Sequence, residues 1–71
     1  MHQKDSIEYI VYSNYIKDGR EAVVIKHRAN GSWGVILKET GRPDFTEYYP
    51  THSETWAENV AENFVERIKQ I

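Results

Sequence analysis

Hydrophobic side chains along this chain gather in three strand-like blocks and a fourth, shorter one, each closed by turn residues, and then change to a helical period near residue 52. Residues 7–16 (IEYIVYSNYI) are dense in β-branched and aromatic side chains. They run into Lys17, Asp18, Gly19 and Arg20, so they predict a first strand followed by a turn in which glycine takes positive φ. Residues 21–29 (EAVVIKHRA) predict a second strand and residues 32–40 (SWGVILKET) a third. Asn30 and Gly31 between them predict a two-residue type I′ hairpin. Gly41, Arg42, Pro43 and Asp44 break the pattern, and residues 45–49 predict a short edge strand ended by Pro50.

The spacing Thr51 to Glu54 matches a capping box, in which Thr51 would accept from the Glu54 amide and Glu54 would reach back. A helix over about residues 52–70 follows. At 100° per residue one half-circle holds Trp56, Ala57, Val60, Ala61, Phe64, Val65, Ile68 and Ile71, and the other holds Glu58, Asn59, Glu62, Asn63, Glu66, Lys69 and Gln70. The predicted fold class is therefore α+β. It is an antiparallel meander of three or four strands, covered on one face by a single C-terminal amphipathic helix, in one small domain spanning residues 1–71. A competing reading makes residues 7–16 a helix, with Tyr9, Tyr12 and Tyr15 at i, i+3 spacing, and so gives the α-β-β-β-α order of a double-stranded-RNA-binding domain. The Ile, Val and Tyr content of the segment disfavours it.

A single helix covers one face of a sheet, so the other face is a candidate surface. A two-residue turn at Asn30 and Gly31 puts Arg28 opposite Trp33, Lys26 opposite Val35 and Val24 opposite Leu37. A similar turn at Asp18 and Gly19 adds Tyr9, Val11, Ser13 and Tyr15 to that face. Val23, Ile25, Ile36, Ile10, Tyr12 and Ile16 then lie on the side expected to meet the helix. The expected open face carries Trp33, Tyr9 and Tyr15 framed by Lys26 and Arg28, residue types enriched where proteins bind one another. It is also apolar enough for a second copy of the chain to cover it as a homodimer. On the helix, Glu58, Glu62 and Glu66 recur at i+4 and form an acidic stripe, a second candidate surface for a basic partner.

Composition narrows the chemistry. The 71 residues contain no cysteine, which removes disulfides, thiolate metal sites and a cysteine nucleophile and fits a reducing, cytoplasmic compartment. No apolar stretch reaches membrane length. His2, His27 and His52 lack metal-ligand spacing, the four glycines are scattered rather than grouped in a phosphate loop, and His52, Ser53 and Glu54 are explained by helix capping. Neither a metal nor a cofactor is expected.

Net charge is −2, but it is divided. Lys17, Arg20, Lys26, Arg28, Lys38 and Arg42 outweigh Asp18, Glu21 and Glu39 to leave +3 over residues 17–42, whereas residues 43–71 sum to −4. Such a split orients partners rather than stabilising the fold. The expected function is a non-catalytic protein-binding module. It would be an inhibitor, antidote or adaptor acting on a larger intracellular machine, one that handles nucleic acid included, and a phage or mobile-element product would have this profile. The alternative expectation is a DNA-binding domain of βββα topology, its strands entering the major groove with Lys26, Arg28, Lys38 and Arg42.

Overall fold

The computed structural model describes residues 8–66. Strands β1 (Tyr9–Lys17), β2 (Arg20–His27), β3 (Trp33–Glu39) and β4 (Phe45–Tyr49) form one antiparallel sheet in sequence order, followed by helix α1 (Glu54–Val65). The fold class is that expected from the sequence, an α+β meander with one C-terminal helix on it. The expected continuation of the helix to residue 70, with Ile68 and Ile71 on its apolar arc, lies outside the described residues.

The first turn is the type I′ one, because Asp18 and Gly19 both take positive φ, 49° and 83°, and Lys17 pairs with Arg20. The second is not. Asn30 keeps negative φ and spends its side chain instead, its Oδ1 accepting from the Ser32 amide at 2.9 Å. His27 pairs its amide with the Ser32 carbonyl, so residues 28–31 form a four-residue loop and Lys26, not Arg28, stands opposite Trp33. The register slides by two residues, which changes neighbours but preserves faces.

The two faces of the sheet also differ from expectation, in which one is covered and in where β1 points its side chains. Helix α1 covers the side carrying Ala22, Val24, Val35 and Leu37, which are fully buried with Ala57, Ala61 and Phe64; Tyr15, Trp33, Tyr49 and Val60 pack around them. That is the face expected to be open. Residues 22–25 are four apolar side chains in a row, so alternation cannot tell which face is covered, whereas the small side chains of Ala22, Ala57 and Ala61 let helix and sheet approach closely on this one. In β1, moreover, the register shifts between Val11 and Ser13. This bulge inserts one residue and reverses the remainder of the strand. Tyr9 and Val11 therefore point to the far side, where they pack with Tyr48 on Val23, Ile25 and Ile36, while Tyr15 stays beneath the helix.

Helix α1 starts two residues later than the capping box predicts. The Tyr49 carbonyl accepts the His52 amide in a turn that uses up Thr51, and the N-cap is Ser53, whose Oγ accepts from the Trp56 amide at 3.4 Å.

Candidate functional site

Of the five residues expected to share one open sheet face, Trp33, Lys26 and Tyr15 stay on one face, the one the helix covers, and Tyr9 and Arg28 do not. Trp33 is half-buried at the start of β3, with Tyr12 edge-on at 4.7 Å between ring centroids and the Lys26 ammonium 5.2 Å from its ring centroid. Tyr15 lies beside the helix core. Its hydroxyl is held above the ordinary tyrosine value by burial, and further by the charges of Glu58, Glu62 and Glu54. Tyr9 is on the opposite face. Arg28 is exposed in the β2–β3 loop, its amide donating to the Glu8 carbonyl at 2.9 Å.

The acidic stripe is a flank of α1 that borders β1. Glu66 Oε1 accepts from Lys17 Nζ at 2.6 Å, so the last member is tied to the sheet. Glu58 has its carboxyl raised above the ordinary value by desolvation and by a hydrogen bond to, and the charge of, Glu54. Glu62, between them, is exposed on the same flank.

On the far face Tyr9, Val11 and Tyr48 cover Val23, Ile25 and Ile36. The Tyr48 ring lies over Gly34, where an added Cβ would come within 2.7 Å of it, and its edge meets His27 at 5.1 Å. An open depression of about 320 Å³ is lined by Tyr9, Val11, Asn14, Glu21, Val23, Ile36 and Lys38, and the Asn14 amide group donates to Glu21. Its rim carries one acid and one base, and its apolar floor is already covered.

A different surface retains exposed aromatic groups. The helix sits over β1, β2 and β3 and hardly reaches β4, so the helix-side face of β4 is uncovered. Phe45 is 39% exposed there and Trp56, at the first turn of α1, is 45% exposed. Between them Tyr49 points its ring edge at Trp56, 6.4 Å away, and the His52 ring stacks on Trp56 at 4.1 Å and 11°. A depression of about 340 Å³ follows on this flank of the helix, lined by Trp56, Asn59, Val60 and Asn63. Trp56 was expected in the core. It lies 100° from Ala57, at the limit of the apolar arc, and with the helix placed over β1–β3 that limit overhangs the sheet. Phe45 gave no sequence signal beyond being the first residue of a short edge strand.

Of His52, Ser53 and Glu54, the serine caps the helix and the histidine stacks on Trp56. The cations of residues 17–42 do not converge. Lys26 lies over Trp33, Lys38 stands on the far face opposite Glu21, Arg42 reaches Glu39 at 3.9 Å, and Arg20 is buried against Phe64. No helix among the described residues is long and apolar enough to cross a membrane. No family model, curated protein or solved structure matches the chain.

Proposed function

We propose that this chain is a small non-catalytic protein-binding module, an inhibitor, antidote or adaptor that acts on a larger protein machine in the cytoplasm. The observation that supports it is the pair Phe45 and Trp56, left exposed together around half-buried Tyr49; among the described residues the other exposed large apolar side chains, Tyr12 and Ile16, lie apart from them on β1. In a domain this small, burying those two rings would add stability at little cost, and large aromatic side chains flanked by uncharged polar groups are where binding energy concentrates. Asn59 and Asn63 supply that polar border. The absence of cysteine accords with a reducing compartment. DNA binding through the sheet is the weaker reading, because the lysines and arginines it needs lie on both faces, in a loop and in the core.

Affinity capture from native lysate with the tagged chain, with and without nuclease, tests the proposal. One protein retained in stoichiometric amount after nuclease, and lost with Trp56→Ala, is the expected result. Complete loss of bound material on nuclease treatment would overturn it in favour of nucleic acid. Glu58→Lys with Glu62→Lys, on the other flank of the helix, should leave capture intact.

A further inference from the structure

Strand β4 is the outer strand of the sheet, and among the described residues its backbone has one side unused. The Thr40 amide bonds the Gly19 carbonyl and the His27 amide bonds the Ser32 carbonyl, so β3 turns the backbone groups of Gly34, Ile36 and Lys38 towards β2. Those of Trp33, Val35 and Leu37 face β4, where Tyr49, Glu47 and Phe45 complete the pairs. The amides and carbonyls of Thr46 and Tyr48 are left on the outer edge. The side chains of Phe45, Glu47 and Tyr49 stand on the helix side, next to Trp56. Glu47 is the one charged residue of β4, and its half-buried carboxylate accepts from the Tyr49 hydroxyl at 2.9 Å while no described cation lies within ion-pair distance.

We infer that this edge receives an extended segment of a partner protein as a fifth strand, with a basic side chain opposite Glu47 and apolar side chains two residues to either side, packed on Phe45 and on Tyr49 with Trp56. This inference rests on the protein-binding reading and specifies its mode. Main-chain bonds to Thr46 and Tyr48 supply affinity, and the period-two pattern of apolar, basic, apolar supplies selectivity. The Glu47 carboxylate, which has no cation beside it among the described residues, decides the occupant. A second copy of the chain, pairing antiparallel through both Thr46 and Tyr48, would set Glu47 against Glu47, and directly opposed like charges destabilise a strand pair. Pro43 and Pro50 bracket the edge, which limits the added strand to about five residues.

The test pans a display library of random peptides of roughly seven residues against the full chain, then titrates the synthetic consensus peptide into isotope-labelled chain. The expected consensus alternates apolar, basic, apolar, with the largest amide shifts at Thr46 and Tyr48. Thr46→Pro removes an outward N–H and no bond to β3, so the fold persists and binding is lost. Glu47→Lys weakens the basic peptide by about tenfold or more and selects acidic peptides in its place. A consensus without the alternation, shifts centred elsewhere, or unchanged affinity in both variants would overturn the inference. So would a wild-type dimer that Thr46→Pro converts to monomer. Lysate capture separates the two levels: a nuclease-resistant protein held equally by wild type and both variants removes the fifth strand and leaves the module, whereas no retained protein removes the module itself.

Discussion

Arg20 and Phe64, 44 positions apart, hold each other by two contacts: Nη1 donates to the Phe64 carbonyl at 2.9 Å, and the guanidinium carbon lies 4.5 Å above the centre of the phenyl ring. The carbonyl belongs to the last turn of α1, where helix carbonyls lack intrahelical donors and the dipole is negative. Arg20 opens β2, so the pair clamps the end of the helix to the β1–β2 hairpin, and Glu39 from β3 completes the site 3.6 Å from Nη2. Replacing Arg20 with Met keeps most of the volume and removes the charge-assisted bond. Urea unfolding should show a loss of about 2–4 kcal/mol with an unchanged slope. Arg20→Lys should recover part of it, because an ammonium reaches the carbonyl but lacks the planar group over the ring.

Gly34 is required for a different reason. A Cβ there would sit 2.6 Å from the Glu47 carbonyl oxygen and 2.7 Å from the Tyr48 ring, contacts that neither backbone nor packed ring can relieve cheaply. Gly34→Ala should therefore cost about 1–3 kcal/mol, even though alanine is ordinarily no worse than glycine in a strand. A thermal scan of that variant with Tyr48→Ala added should show non-additivity, since removing the ring removes half of the clash.

Alkaline pH should unfold the protein earlier than an ordinary tyrosine content predicts. Burial, and the hydrogen bond and negative charge of Glu47, hold the Tyr49 hydroxyl well above its usual 10.0, and burial raises Tyr15 and Tyr48 as well. The folded state keeps these protons longer than the unfolded state does. The stability they contribute is complete below pH 10 and falls as pH rises beyond it. Melting temperatures followed from about pH 8 to about pH 11 should drop in the wild type and drop less in Tyr49→Phe, relative to each protein's value at neutral pH.

Glu58 works in the acid range with the same sign. Its carboxyl is raised above the usual 4.5 by desolvation and by Glu54, so folding favours its protonated form and the contribution is lost as pH rises past 4.5. At neutral pH the charge opposes folding. Glu58→Gln should melt higher than wild type at neutral pH, and the difference should vanish towards acid; equal melting temperatures at neutral pH would contradict the assignment.

The order and type of the elements were legible because turn residues separate every block of strand or helix period, even where the turn at Asn30 and Gly31 and the helix cap differ in detail, and the short edge strand falls at residues 45–49 between Pro43 and Pro50. The faces were not. Four consecutive apolar residues at 22–25 erase the alternation that would distinguish covered from open, and the bulge at Val11 and Ser13 leaves no mark in a segment that is β-prone throughout. Lys26, Trp33 and Tyr15 were rightly placed on one face, but it is the face beneath the helix. The β4 flank was invisible for a further reason: it depends on where the helix lies across the sheet, and no local pattern specifies that the helix covers β1–β3 and leaves Phe45, Tyr49 and Trp56 at its margin.

The most direct test of the binding account is nuclease-treated lysate capture with the wild-type chain and with Trp56→Ala, each first shown to be folded. Trp56 is outside the core, so its loss should leave the melting temperature within a few degrees and reduce the retained partner by roughly tenfold or more. Equal retention by the two chains would contradict the claim that the flank between α1 and β4 is where this protein meets its partner.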